Sequence, residues 1–487
     1  MTPPAPRFTT VIGLEVHAQL QTTTKMFCRC PTQGTGGPNG RVCPVCLGLP
    51  GALPVPNQEA VRLGVRAALA LGCQVQPSSQ FARKSYFYPD LPKGYQISQH
   101  DRPLAWGGEL VLPGSGAEPR RIPLLRLHLE EDAGRSQHVS PPGEPPATLL
   151  DFDRCGIPLV EIVTRPALGS PQEASDALKE LRTLLRTLGV CDGNLENGSF
   201  RCDANLSLRP ADDPTLGTRV EIKNLNSFRH LRLALEEETA RQTELLAQGR
   251  PVAPETRQFD PSSGRTLVLR NKEESKDYRY FPDPDLPELV LAEDWLHAQR
   301  AALPELPAAR RARFVREHGL SDYEAGVLVT ERAVADHYEA LLEAGARSRP
   351  AASWVLNEVL RVWDGSGDGP PPVPPAALAE LLALLGAGAI TGTVAKQVWE
   401  ELRQHGGEPA AIVTRLGLGT TTDLDPTVRR VLAAHPAQVA QYRAGKAALL
   451  GFFIGQAMRE LRGRADATEL GRRFAALLEG EDEPTGG

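Results

Sequence analysis

Two closely spaced pairs of cysteines near the N-terminus are the clearest sign of chemistry in this sequence. Cys28 and Cys30 form the first pair, Cys43 and Cys46 form the second, and a loop rich in Gly, Pro and Asn separates them. Two tight pairs joined by a turn-forming spacer suit four thiolates around a tetrahedral Zn²⁺. Because four protein ligands leave no open coordination position, the pattern predicts a structural zinc knuckle and not a catalytic metal.

Acidic, imidazole and amide side chains recur at every second position in four strand-like segments. These alternating polar sets are Glu15, His17 and Gln19 in VIGLEVHAQL; Arg126, His128 and Glu130 in LLRLHLEED; Arg201, Asp203, Asn205 and Ser207 in FRCDANLSLR; and Arg219, Glu221 and Lys223 in RVEIKN. Apolar residues occupy the positions between them. Since alternate residues of a strand point to the same side, pairing these strands in one sheet would gather the polar groups on one face.

Such a face would offer the ligands that Mg²⁺ uses in proteins, which are one or two carboxylates together with water and substrate phosphate oxygens. Glu15, His17, Glu130 and Glu161 are the candidates. The ordinary alternative is a solvated face of an antiparallel sheet. Because His, Glu, Asp and Asn replace the Thr and Lys typical of exposed strands, an active-site face is favoured.

Cations beside tyrosines form a third candidate set. Lys84, Tyr86 and Lys93 lie in KSYFYPDLPKGYQISQ, and Arg279 lies between two tyrosines in RNKEESKDYRYFPDPDL. Such neighbours can stack bases and contact phosphates, although a tyrosine cluster packed on a Pro-rich turn explains them equally well. The sequence contains no GxxxxGK[ST] motif. If ATP is used, metal and cations on the sheet must therefore hold its phosphates.

The elements that would position these groups belong to an α+β fold. From about residue 8 to 290, strand-like runs alternate with Gly/Pro turns, and helices are predicted over Pro171–Leu188, with a capping box of Ser170 and Glu173, and from Ser227 to Gly249. Beyond residue 290 the helical spacing of Ala, Leu, Glu and Arg predicts an all-α part. Nine Arg or Lys against three Asp or Glu between Arg429 and Arg473 suggest either an RNA-phosphate patch or a solvated face.

Bulk composition restricts the classes of function. A chain of 487 residues is too long for one core, and its net charge of −6 argues that any RNA contact is local. The sequence has neither a signal-peptide core nor a run of about 18 apolar residues, so a soluble cytoplasmic protein is expected. The isolated Cys73, Cys155, Cys191 and Cys202 are expected to be buried thiols, because the cytosol keeps thiols reduced.

Long collinear motifs resemble a known family. GLEVHAQL, KSYFYPDLPKGYQISQ, HLEEDAGRS, DFDRCGIPLVEIVT, DGNLENGSFRCDANLSLRP, EIKNLNSF, ETRQFD and KDYRYFPDPDL together resemble the B subunit of the bacterial glutamyl-/aspartyl-tRNA amidotransferases, the GatB family. The tail, YRAGKAALLGFFIGQAMRELRGRADATEL, is similar to the YqeY-like helical module of that family. The likeness covers nearly the whole chain.

The resemblance implies three domains: a catalytic cradle with a large, mainly antiparallel sheet (1–292), a helical domain (293–408) and a tRNA-binding tail (409–480). It implies that ATP and Mg²⁺ activate the side-chain carboxylate of Glu or Asp on mischarged tRNA, and that ammonia then forms the amide. On this interpretation Glu15, His17, Glu130 and Glu161 are linked to the metal, and Asp203, Asn205, Glu221 and Lys223 line the same pocket.

The implied partners are an amidase, or A subunit, which supplies ammonia from glutamine, a small C subunit, and mischarged Glu-tRNA(Gln) or Asp-tRNA(Asn). Two other functions are alternatives. One is a non-catalytic zinc-ribbon adaptor that only presents tRNA to another enzyme. The other is a ligase that activates a free acid with ATP and needs no tRNA.

Overall fold

The computed structural model describes residues 8–34, 36–113, 119–140, 143, 145–271, 278–365, 369–421 and 423–480. The chain forms two compact units, Met1–Arg310 and Arg311–Gly487. All strands of the described residues lie in the first unit, and the second is helical, as the sequence predicts. The division into domains 1–292, 293–408 and 409–480 stays a prediction.

The strands of the described residues are β1 (Phe8–Gln19), β2 (Gln74–Val75), β3 (Ser78–Ser79), β4 (Ala82–Ser85), β5 (Tyr95–Ser98), β6 (Ala105–Trp106), β7 (Glu109–Leu112), β8 (Arg120–Glu131), β9 (Arg135–Val139), β10 (Ala147–Asp151), β11 (Pro158–Thr164), β12 (Phe200–Pro210), β13 (Val220–Leu225), β14 (Glu255–Asp260), β15 (Arg265–Asn271), β16 (Phe281–Pro282) and β17 (Leu289–Val290). The helices of the first unit are α1 (Gln58–Ala70), α2 (Pro171–Thr187), α3 (Phe228–Ala247) and α4 (Glu293–Ala301).

The helices that begin at residue 307 or later are α5 (Pro307–His318), α6 (Asp322–Leu328), α7 (Arg332–Glu343), α8 (Ser348–Trp354), α9 (Pro375–Gly386), α10 (Gly392–His405), α11 (Pro409–Arg415), α12 (Asp425–Ala434), α13 (Pro436–Arg443), α14 (Leu449–Glu460) and α15 (Ala467–Glu479). A π-helical turn, Val355–Val359, follows α8 directly.

One large sheet organises the first unit. Its strand order is β15-β14-β13-β12-β1-β11-β8-β6-β2, with β7 also paired to β8. Neighbouring strands are antiparallel except β13 and β14, which are parallel. The four segments with alternating polar residues are β1, β8, β12 and β13, and β11 lies between β1 and β8. The predicted pairing of these segments in one sheet is therefore confirmed.

Helices cover the apolar side of this sheet. Leu14, Val16 and Leu129 are buried there, and α1, α2 and α3 pack on β8, β1 and β12 respectively. The alternation that places apolar residues under the helices turns the intervening polar residues to the other face.

The cap of α2 forms one half of the predicted capping box of Ser170 and Glu173, and α3 begins after Ser227 as predicted. Ser170 accepts a hydrogen bond from the backbone N–H of Glu173, and Ser227 does the same for His230. The Glu173 carboxylate accepts from the backbone N–H of Gly169 at 2.6 Å, one residue before the cap. Gly189 and Gly249 follow the two helices with φ of 65° and 71°, a conformation that favours glycine.

Two apolar clusters stabilise the second unit. The first includes buried residues from Phe314 to Ile412 and the second those from Leu424 to Leu478. His337 of α7 is 4% exposed, and neither of its ring nitrogens has a hydrogen-bond partner within the described ranges. Its ring meets that of Trp363 edge to face.

His337 should make the stability of the second unit depend on pH. Burial lowers the pKa of His337 to about 4, whereas an unfolded histidine titrates near pH 6.5. The unfolded chain therefore takes up the proton first as the pH falls, and about 2 kcal/mol of stability should be lost between pH 7.5 and 5. Replacing His337 by Phe should remove that loss, as measured by urea unfolding at both pH values. The same change at the exposed His405 is the control, and equal pH dependence of the two variants would contradict the prediction.

Candidate active site

The register of the central strands places ionisable groups beside one another. His17 of β1 pairs with Glu161 of β11, and Glu161 pairs in turn with His128 of β8. On the other side of β1, Glu15 pairs with Asp203 of β12. The polar positions that the sequence predicts on separate strands therefore form a continuous row across the sheet.

Two histidines and two glutamates form the centre of this row. The Nε2 atom of His17 lies 3.2 Å from Glu161 and 3.5 Å from Glu130. The Nε2 atom of His128 lies 3.3 Å from Glu161 and 3.7 Å from Glu130. Potential ligand atoms of His17, Glu130 and Glu161 all lie within 4.8 Å of one another. One ion could therefore bind all three, and the binding of Mg²⁺ there stays a prediction.

Mutual interactions set the ionisation of this cluster. Burial opposes ionisation of Glu161, but His128 and His17 hold its pKa well below the ordinary value. Burial would lower the pKa of His128, yet Glu161 and Glu130 raise it to about 9. The two histidines thus keep the buried carboxylates of Glu130 and Glu161 ionised. Buried carboxylates remain charged only beside compensating cations.

Glu15 lies in the same row but not in the three-residue metal group. Its Oε1 accepts a hydrogen bond from Nδ2 of Asn205 at 2.8 Å. Burial and then Glu161 raise the pKa of Glu15, and Asn205 opposes that rise. The structure therefore brings together three of the four residues that the sequence suggests for Mg²⁺, and it places the fourth beside them.

The remaining predicted pocket residues form an ion cluster on β12 and β13. The Lys223 ammonium lies 2.7 Å from Asp203 and 3.0 Å from Glu221. Thr256 of β14 donates to the second oxygen of Glu221 at 3.0 Å. Burial opposes the charge of Lys223, but Asp203 and Glu221 raise its pKa. Lys223 thus contacts both acids and supplies one positive charge between them.

A cavity of about 430 Å³ adjoins Glu15 and Glu161. Asn205 and two arginines, Arg126 and Arg219, contribute to its polar lining. Apolar parts of the wall come from β1, β11 and the segment before β13, through Val11, Val163, Leu216 and their neighbours. A cavity with an apolar wall and a few cations suits a ligand with both a flat ring and anionic groups.

Four residues were proposed for nucleotide contact, and the two lysines among them lie on opposite faces of the sheet. Lys84 belongs to the site: burial opposes its charge, but Glu130 raises its pKa, and its ammonium lies 5.0 Å from the Tyr278 ring centre. Lys93 instead pairs with Glu131, the residue after Glu130, whose side chain points to the other face of the sheet.

The other two members of this set are Tyr86 and Arg279. The Tyr86 ring packs on Tyr88 with 4.7 Å between ring centres. Arg279 has φ of 44° and separates Tyr278 from Tyr280. Positions 272–277 of the second segment lie outside the described residues.

Two residues of the site, His128 and Asp132, were not among the predicted site residues. His128 completes the central cluster, and its alternation with Glu130 was the sequence signal for it. Asp132, which follows β8, accepts from Gln19 at 2.9 Å and from Arg201 at 3.0 Å. Asp132 continues the period-two set of Arg126, His128 and Glu130, so the same alternation could have found it although it lies one residue beyond the end of β8.

The four cysteines predicted to bind zinc converge in a separate cluster. The four Sγ atoms all lie within 4.8 Å of one another; they belong to Cys28, Cys30, Cys43 and Cys46. The Sγ atoms of Cys43 and Cys46 are 3.8 Å apart, and a tetrahedral Zn²⁺ with Zn–S bonds of about 2.3 Å requires a separation of about 3.8 Å. The donor set and its spacing therefore fit zinc. Cys73, Cys155, Cys191 and Cys202 are buried, as predicted.

Comparison with known proteins identifies the family. A family model described as the GatB/GatE catalytic domain matches residues 10–297, and one described as the GatB domain matches residues 336–478. The B subunit of the aspartyl/glutamyl-tRNA(Asn/Gln) amidotransferase of Geobacter sulfurreducens is 47% identical over 475 residues, which cover 96% of this chain and 99% of the relative. The chain belongs to the GatB family.

Two further GatB relatives show the same extent of similarity. The B subunit of the Anaeromyxobacter dehalogenans enzyme is 50% identical over 473 residues, covering 95% of this chain and 97% of the relative. That of Carboxydothermus hydrogenoformans is 47% identical over 461 residues, covering 94% and 96%. The GatB/GatE catalytic match includes the whole polar row and the four cysteines. In the described ranges, no helix is both long and apolar enough to cross a membrane.

Proposed function

We propose that this chain is the component of a tRNA-dependent amidotransferase that uses ATP to activate the side-chain carboxylate of Glu or Asp on a mischarged tRNA. The observation that carries the proposal is the cluster of His17, Glu130 and Glu161 beside a cavity with two arginines, in a member of the GatB family. The relatives' names include both tRNA(Asn) and tRNA(Gln). The expected products are therefore Gln-tRNA(Gln), Asn-tRNA(Asn) or both.

The reaction needs two displacements. An oxygen of the aminoacyl side-chain carboxylate attacks the γ-phosphorus of ATP, and ADP leaves. Ammonia then attacks the acyl carbon, phosphate leaves with that oxygen, and a proton is lost to give the amide. The first step converts an unreactive carboxylate into an acyl phosphate, whose phosphate is a good leaving group.

Separate parts of the polar row support these steps. His17, Glu130 and Glu161 would hold Mg²⁺, which supplies charge neutralisation on the phosphoryl group. Arg126 and Arg219 line the adjoining cavity, where they would contact anionic groups. Glu15, held by Asn205, would accept the proton that ammonia loses, because its raised pKa brings it closer to that of an effective base.

The four-cysteine cluster would hold one structural Zn²⁺, and the ammonia would come from a partner. The relatives' designation as the B subunit supports an assembly of several different chains. We assign glutamine hydrolysis to the amidase, or A subunit, and the contact between the two larger chains to the small C subunit.

The helical tail should provide much of the tRNA affinity. Exposed cations of the second unit include Arg429, Lys446, Arg459 and Arg462, for which no acidic partner is found in the described ranges. Replacing these four by Gln should weaken tRNA binding about tenfold or more near 0.1 M salt and reduce the salt dependence of binding, because phosphate contacts release counterions. Filter binding across a salt series measures both. Unchanged affinity and unchanged slope would place the tRNA contact elsewhere.

Turnover of ATP with different tRNAs separates this function from its alternatives. The chain is co-expressed with the amidase and the small third protein, and ADP release is measured with mischarged tRNA, uncharged tRNA and free glutamate. The proposal predicts ATP cleavage only with mischarged tRNA. Cleavage with free glutamate supports the free-acid ligase, and absence of cleavage with every substrate supports the non-catalytic adaptor.

A further inference from the structure

A buried lysine lies directly against the cysteine cluster. Lys25 is 0% exposed, although lysine is among the residues least often buried in proteins. Its ammonium lies 3.9 Å from Sγ of Cys46 and donates to the carbonyl oxygen of Phe152 at 3.3 Å. These are its polar side-chain contacts within the described ranges. Glu131 borders the same cavity but pairs with Lys93, so without a metal centre the buried ammonium would lack a carboxylate partner of its own within the described ranges, which is costly.

The charge of a zinc-thiolate centre resolves this imbalance. Four thiolates around Zn²⁺ carry a net charge of −2, and a buried dianion also needs a compensating cation. Other nearby cations are used differently: Arg29 is exposed, Arg41 interacts with Asp153 at 3.6 Å, and the buried Lys93 pairs with Glu131. Lys25 is therefore the buried cation in direct contact with a cysteine sulfur.

Backbone contacts hold Lys25 in this place. Its own N–H donates to the carbonyl oxygen of Cys30 at 2.9 Å, and the N–H of Met26 donates to Gly156 at 2.7 Å. Gly156 has φ of 83°, and a Cβ at this position would lie 3.5 Å from the Lys25 side chain, 3.7 Å from Cys46 and 3.8 Å from the Glu131 carboxylate. The lysine is thus part of the metal-binding loop, and its ammonium does not depend on a flexible surface side chain for its position.

We propose that Lys25 is the internal counter-cation of the zinc-tetrathiolate centre and a determinant of zinc retention. The inference rests on the proposed binding of zinc by the four cysteines. Residues outside the ligand set that support a metal centre typically change metal affinity by about 10- to 100-fold when they are replaced. Because Lys25 acts through its charge, a side chain that keeps only the aliphatic stem of lysine should not retain zinc as well.

The test compares Lys25→Met with Arg29→Met in the full chain. Met keeps much of the aliphatic stem of lysine and removes the charge, and Arg29→Met removes an exposed charge next to two cysteines. Zinc release to an excess of a chromogenic chelator should be about tenfold or more faster in Lys25→Met, and close to the native rate in Arg29→Met, because water and salt screen an exposed charge. Equal release from all three proteins would overturn the proposal.

A second measurement separates charge from packing. With zinc bound, Lys25→Met should lower the unfolding temperature, whereas after zinc removal under reducing conditions it should leave that temperature unchanged or raise it. An equal decrease with and without zinc would show that Lys25 acts by packing and would contradict the proposal. If Lys25→Met does not fold, Lys25→Arg decides: zinc release within about threefold of the native rate supports the role of charge, and release tenfold faster contradicts it.

Metal analysis of the unaltered protein distinguishes this proposal from the one on which it rests. A native chain without zinc would contradict both. A native chain with one zinc, together with native release from Lys25→Met, would contradict only the role of Lys25.

Discussion

Replacing Glu161 by Gln is expected to lower ATP cleavage and amide formation by a factor of about 10²–10³, the usual effect of removing one electrostatic contact to a transition state. Glu161 is the residue on which the central cluster converges, since both His17 and His128 contact its carboxylate. Gln has nearly the same shape but no charge, so the site would hold Mg²⁺ less well and neutralise less charge on the phosphoryl group. Initial rates with saturating ATP and mischarged tRNA measure the effect.

Control measurements test whether the loss of rate in Glu161→Gln is specific to the polar row. Glu109 of β7 carries a carboxylate that is 43% exposed and pairs with Arg121. Glu109→Gln should retain the native rate. In Glu161→Gln, tRNA binding and glutamine hydrolysis by the partner amidase should persist, and raising the Mg²⁺ concentration should restore part of the rate. A rate within about threefold of native for Glu161→Gln would show that this row is only a polar sheet face.

Replacing both Cys43 and Cys46 by Ser should have the largest effect on stability. The change removes two of four sulfur ligands, and the energy of binding a structural zinc contributes directly to folding. We expect loss of bound zinc and a decrease of about 10 °C or more in the unfolding temperature of the first unit. Metal analysis and calorimetry measure these effects.

A matched control is the buried but isolated Cys73, replaced by Ala. It loses a small buried side chain and no metal ligand, so its unfolding temperature should fall by only a few degrees. If the double variant were as stable as Cys73→Ala, the four cysteines would not form a structural metal site.

Local patterns of the sequence predict the convergence of the four cysteines and the polar face well. The four cysteines lie within 19 positions of one another, so their spacing already limits how they can meet. Likewise, Glu15 and His17 must point to the same side because a strand alternates with a period of two. Both predictions depend on geometry within a few residues of chain.

Contacts between strands were less predictable, because they depend on register. His17 meets Glu161 since those two residues pair across β1 and β11, whereas Glu15 meets Asn205 of β12. The apolar alternation of β1 excludes a shift of pairing by one residue, but a shift by two would keep the same faces and change every partner, and nothing local to β1 excludes that. Glu161 was predicted as a metal ligand although the residues two positions before and after it, Leu159 and Val163, are apolar.

The two candidate lysines show the same limit. Lys84 lies in β4 and points toward the acids, while Lys93 precedes β5 and pairs with Glu131 on the opposite face of the sheet. The two lysines look alike in sequence, each close to tyrosines. Their separation follows from the turn between β4 and β5, which is a feature of the folded chain and not of local composition.

The central claim is that ATP activates the side-chain carboxylate as an acyl phosphate. The most direct test uses Glu-tRNA(Gln) with ¹⁸O in both side-chain carboxylate oxygens, incubated with the assembled enzyme, ATP and glutamine. The proposal predicts that each inorganic phosphate released carries one ¹⁸O atom, because the carboxylate oxygen bonded to phosphorus leaves with it. Release of unlabelled phosphate during formation of labelled Gln-tRNA(Gln) would contradict it.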